Sequence, residues 1–120
     1  MHGYVDSHCH LDDTRGVDVD DVLAAARAGG AAVRGSAGVG VAYAAVPAGT
    51  PVEEVGAALD GLRRACERHG GSAVVVDAPG AVKQALDVWG PIPALDLMHR
   101  VKDQFDPDHR LAPGRFVGGI

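Results

Sequence analysis

Apolar and polar positions repeat with two different periods along the chain, and the switches between them divide it into elements. Residues 19–28, VDDVLAAARA, repeat at helical spacing: Val19, Val22, Leu23 and Ala26 share a face, Asp18 stands at the cap position, and Gly29-Gly30 stops the run. Residues 39–46, VGVAYAAV, alternate with period two, with Val39, Val41, Tyr43 and Ala45 on one side, which predicts a strand. Thr50-Pro51-Val52-Glu53 reads as a helix start, with a capping Thr, Pro at the first helical position and Glu three residues after the cap. Val52, Val55, Leu59, Leu62 and Cys66 continue as an apolar stripe, and Arg63, Arg64 and Arg68 fall in the last turns, where the helix dipole favours cations. Residues 72–79, SAVVVDAP, predict a strand closed by Pro79, and its run of valines predicts burial on both faces. Weaker patterns give short strands over 3–6 and 32–34 and a short helix over 80–88. A last helix is expected over about 94–105, with Leu95, Met98, Val101 and Phe105 on one side and Asp96 and Arg100 as an i,i+4 pair on the other. The ending HRLAPGRFVGGI has no periodicity and is expected to dock on something rather than fold alone. The order strand, helix, strand, helix, helix predicts an α+β fold: a small sheet of about three to four strands covered by helices.

Composition changes this picture in one respect. The chain has 120 residues, 47% of them hydrophobic, but only 4% aromatic, so its core has to be built from Ala, Val and Leu. Formal net charge is −5, which speaks against nucleic-acid binding through a broad basic surface. The charge is uneven. Asp6, Asp12, Asp13, Asp18, Asp20 and Asp21 face one base, Arg15, in residues 1–21, whereas acids and bases balance over 22–120. Cys9 and Cys66 do not make a spaced framework and read as reduced thiols of a cytoplasmic protein, with Cys66 an inert core thiol. No signal peptide is visible, and no apolar run approaches the ~18 residues of a membrane span.

The candidate chemistry begins at DSHCHLDD, residues 6–13. His8 and His10 alternate along an extended chain, so both imidazoles point the same way, and two imidazoles on one face can hold a divalent ion. Asp6 and Asp12 are placed to orient them. YVDSHCHLDD followed by VDDVLAAARA resembles the first strand and helix of the TatD-like metal-dependent nucleases of the amidohydrolase superfamily. That resemblance implies a divalent-metal role for His8 and His10 and for no other residue. The family's (β/α)₈ barrel needs ~250 residues. The later histidines, His69, His99 and His109, fall at a helix end, inside a helix and in the tail rather than at strand ends.

Residues 30–120 carry a second resemblance. VRGSAGVGVAYAAVPAGTPVEEVGAALDGLRRACERHGGSAVVVDAP and then LMHRVKDQFDPDHRLAPGRFVGG are similar to the C-terminal region of FAD-linked oxidases, the vanillyl-alcohol-oxidase-like flavoproteins, and in particular the FAD-binding subunit of glycolate oxidase. The most specific piece is a helix followed by Phe-Asp-Pro and then Pro-Gly-Arg. Ala112 departs from the family, which often has Asn before Pro-Gly. The resemblance implies flavin oxidation of a small 2-hydroxy acid such as glycolate, with this region a cap over an FAD held by a separate N-terminal domain. It makes Gly114 and Arg115 the candidate cofactor contacts and leaves Arg34 a candidate for facing a carboxylate. GSAGVG, residues 35–40, lacks the Gly-x-Gly-x-x-Gly order and leads into a strand, so it reads as a strand bulge rather than a phosphate loop. Trp89, before Gly-Pro, reads as a packing anchor at a turn, and His69 as a cap for helix carbonyls.

The expectation is a composite chain. A nuclease-like segment, residues 1–29, precedes an oxidase cap region, residues 30–120, that is not catalytic alone and whose partners are other oxidase subunits or an FAD domain. The alternative is a divalent-metal-dependent hydrolase or nuclease built on His8 and His10.

Overall fold

In the computed structural model the described residues are 5–10, 19–36 and 39–120, and for 5–10 and 19 the description is of the backbone. Among them the elements run β1 (Val5–His10), α1 (Val19–Ala28), β2 (Ala32–Ser36), β3 (Val41–Val46), α2 (Val52–Arg68), β4 (Ser72–Asp77), α3 (Gly80–Ala85) and α4 (Leu95–Phe105), ending in a 3₁₀ turn, Val117–Gly119. The class is α+β. Residues 1–90 and 91–120 form two compact units.

In the first unit the strands pair antiparallel in the order β2-β3-β1-β4. β1 therefore carries the histidine pair within a strand, where the sequence pattern ended the strand at residue 6. Both helices pack on one side of the sheet. Val22 and Ala26 of α1 and Leu62, Ala65 and Cys66 of α2 are buried with Ala44 of β3 and Ala73 of β4. A second cluster joins Val46, Val55, Ala78 and Val82. The predicted stripes supply these residues, because helical period and strand alternation each commit one face to burial.

Within the first unit, no described helix packs on the other side of the sheet. This corrects the expectation for β4: Ala73 is buried and Val75 packs against the core, but Val76 is 56% exposed, so the valine run is not buried on both faces. A continuous valine run looks the same in a buried strand and in an edge strand, and β4 is an edge strand. Gly35 and Ser36 belong to β2 and pair with Ala42 and Val41, rather than forming a bulge. The Val39 N–H donates to the Ser36 carbonyl at 3.1 Å.

The start of α2 also differs. Pro51, with ψ 145°, is the cap residue, and it makes no side-chain capping bond. Thr50 instead donates its hydroxyl to the Pro47 carbonyl at 2.8 Å, closing the preceding turn. Arg63 does more than complement the helix dipole. Its Nε donates to the Ala73 carbonyl at 3.2 Å and a terminal nitrogen to the Asp87 carbonyl at 2.7 Å, tying α2 to β4 and to the segment after α3. Gly90, at φ +74°, lies so close to this guanidinium that a Cβ would stand 2.8 Å from its Nε.

A core of small side chains lets the two helices approach closely. A Cβ on Gly29, just past α1, would stand 2.5 Å from the Ala58 Cβ of α2, whereas a Cβ on Gly61 meets nothing within 4 Å. Gly29→Ala is therefore expected to destabilise the fold by about 1–3 kcal/mol through overpacking. Gly61→Ala, one turn away, should stabilise it by up to about 1 kcal/mol through helix propensity. Paired denaturant melts check both signs. Removing the Arg63 donors, as in Arg63→Ala, should cost roughly 1.5–3 kcal/mol in the same assay, because two carbonyls lose a charged partner.

Candidate functional site

The open face of the sheet carries the chemistry of the first unit. Val33 packs toward the helices, so its neighbour Arg34 turns to the other side, opposite Tyr43 in the β2–β3 register. The Arg34 guanidinium lies over the Tyr43 ring, 5.3 Å from its centroid. Such a stack holds the planar group in place while its N–H edges stay available. Around them Gly35, Ser36, Val39 and Val41 complete a shallow apolar depression of about 520 Å³. Gly35 is required here, since a Cβ would stand 2.6 Å from the Val41 carbonyl.

The strand register places His8 across from Tyr43 on one side and Val74 on the other, and His10 across from Val41 and Ser72. Their side chains lie outside the described residues, as do Asp6 and Asp12. Among the described residues no group of three or more His, Cys, Asp or Glu side chains is placed to hold a metal.

His69 does not cap carbonyls with its ring. Its Nε2 lies 3.2 Å from Asp21 Oδ2, which also accepts from Arg68 at 2.7 Å. These bonds link the start of α1 to the end of α2, and the Arg68 hydrogen bond, followed by that of His69, lowers the Asp21 carboxyl below its ordinary value. Cys66 is fully buried and disulfide-bonded, with a partner side chain outside the described residues. That corrects its reading as an inert thiol, and the cytoplasmic expectation loses the support of reduced cysteines. No described helix is long and apolar enough to cross a membrane.

In the second unit the sequence signal Phe-Asp-Pro proves to be a polar knot. Asp106 is 6% exposed. Its two oxygens accept the backbone N–H groups of Arg110 and Leu111, each at 2.9 Å, and Lys102 Nζ lies 2.6 Å from Oδ2. Lys102 also donates to the Leu111 carbonyl at 2.6 Å. The Lys102 bond, followed by the Leu111 amide, draws the Asp106 carboxyl down to about 2. Residue pattern alone marked Asp106-Pro107 only as a stop. The usable signal was Lys102 four residues before an aspartate at the helix end.

This knot folds the tail back. Val117 is buried, and Gly118 sits so close to Leu95 and His99 of α4 that a Cβ would stand 2.6 Å from Leu95 Cδ1. The tail thus docks on the last helix, as its lack of periodicity led one to expect. The Asp96–Arg100 pair does not form; the i,i+4 ion pair of α4 is Lys102–Asp106. His109 lies 3.1 Å from Asp103. The apolar side of α4 is largely exposed, with Phe105 at 81%.

Gly114 and Arg115 lie in an exposed turn, Arg115 N–H donating to the Ala112 carbonyl at 3.2 Å. Nothing stands within 4 Å of a Cβ built on Gly114. Ala112 adopts φ +47°, a left-handed conformation that Asn tolerates and Ala resists.

No family model, curated protein or solved structure matches the chain.

Two results are expected. The Asp106 value is depressed, so its contribution to stability is complete above the ordinary carboxylate value of 3.8 and is lost as pH falls through about 2. The amide resonances of Arg110 and Leu111 should titrate with that low midpoint. Ala112→Asn should stabilise the second unit by about 1 kcal/mol, read as a raised unfolding midpoint.

Proposed function

We propose that residues 30–120 are the C-terminal cap portion of an FAD-dependent oxidoreductase acting on a small 2-hydroxy acid of the glycolate kind. Catalysis then requires an FAD domain or oxidase subunit that holds the flavin. The observation that carries this reading is the one-sided layer. Helices occupy one face of the sheet, and the other face presents Arg34, fixed over Tyr43, beside an apolar depression. A cap over a cofactor needs such a division, with one face committed to its own core and one free to line a pocket. A 2-hydroxy acid brings a carboxylate, and a held guanidinium is the side chain suited to it. The folded tail gives second support. The Asp106 knot orders the segment before Pro113-Gly114-Arg115 and leaves Arg115 exposed for docking.

The test has two arms. The purified chain should carry no flavin absorbance and should not oxidise glycolate. Co-expressed with the FAD-binding portion of a glycolate-oxidase-type flavoprotein, it should form a yellow complex whose flavin glycolate reduces. Arg34→Ala in that complex should raise the substrate concentration needed for half-maximal reduction about tenfold or more, the scale of a lost charge-assisted contact. Stoichiometric flavin in the chain alone, or a complex indifferent to Arg34, would refute the proposal.

A further inference from the structure

The outer edge of β2 borders a groove of about 490 Å³, which shares Arg34, Gly35, Ser36 and Val41 with the depression on the open face and extends to Leu23 and Arg27 of α1. The continuous run Ala31–Ser36 forms one wall, Leu23 and Arg27 of α1 another, and Gly40–Ala42 the rest. β2 pairs with β3 on one side only, and its other edge has no strand partner among the described residues. That edge therefore offers a row of backbone donors and acceptors at strand spacing. No Pro or Lys blunts it, and four of its five residues are exposed.

The groove's charge selects its occupant. From Val22 to Val52 the sequence holds no acid and two bases, Arg27 and Arg34, and both line the groove. No described carboxylate forms an ion pair with either. A local positive site thus stands on a chain of net charge −5. A second copy fits it poorly. Arg34 is the middle residue of β2, so antiparallel two-fold pairing over the whole strand sets Arg34 against Arg34. A small anion would meet the charge but leave the row of backbone groups unused.

We propose that this edge takes an extended acidic peptide from another protein, which adds as a strand beside β2, one row of its side chains on the helix side with Leu23, Val33 and Arg27, the other on the open face with Arg34, and carboxylates in both rows. Backbone bonds supply the geometry, and the two arginines supply the choice of partner.

The experiment uses the full chain and three labelled, end-blocked hexapeptides. One is Val-Glu-Glu-Val-Glu-Glu, with acids in both rows, one has Lys in place of each Glu, and the third is the Val/Glu peptide with alternate amides methylated. Fluorescence anisotropy should show saturable binding of the Val/Glu peptide, weakening as salt is added. The Lys and methylated peptides should bind at least about tenfold more weakly. Arg27→Glu should weaken the Val/Glu peptide at least about tenfold with the circular dichroism spectrum unchanged; Arg27 has no part in the proposed oxidase site, so this arm is independent of that reading. Absence of binding by the Val/Glu peptide, equal binding of the methylated peptide, or displacement by acetate at equal concentration would overturn the proposal. So would concentration-dependent dimers that the peptide does not dissociate.

Discussion

The rest of the structure depends on how closely small side chains let its backbones approach. With almost no aromatic residues, the first unit cannot fill space with a few large groups. It fills it by bringing α1 and α2 together over the sheet at Gly29 and Ala58, and by seating Ala44, Ala65 and Ala73 in the interior. Dispersion falls off steeply with distance, so a core of alanines gains its share only if the gaps are closed. Gly35 beside the Val41 carbonyl and Gly90 beside the Arg63 guanidinium meet the same demand at the sheet and at the chain's turn.

A core of this kind leaves peripheral segments with little apolar surface to anchor them, and charged groups take over. Arg63 holds two carbonyls from separate segments, and Asp106 holds two amides of the tail. In each case one charged side chain bonds two backbone groups at separate positions along the chain. Asp21, shared by Arg68 and His69, is the half-buried counterpart and joins the ends of two helices. Where the tail has no such fixing, glycines with positive φ carry the turns, and Ala112 bears a conformation better suited to Asn.

The same economy produces the functional division proposed for the first unit. The helices of this unit cover one face of the sheet, which leaves the other face and the β2 edge to carry Arg34, Tyr43 and Arg27. The faces are chemically distinct because strand alternation sends Ala44 and Val46 inward and Tyr43 outward on a single strand.

The sequence by itself determined the α+β class, helix α1 to the residue, the stripe of α2 and the need for the tail to dock. Each follows from periodicity or from turn residues, which act over a few neighbours. Only the tertiary structure decided that β1 runs through the histidines, that β4 has one open side, that Thr50 closes a turn rather than capping a helix, and that Arg34 meets Tyr43. Strand order sets these, and pairing between residues as distant as His10 and Ser72 leaves no local pattern. The bonding of Cys66 and the knot at Asp106 were hidden for a related reason. A cysteine on an apolar stripe and an aspartate before proline look alike in sequence whether or not a partner reaches them, and only the fold brings the partner within reach.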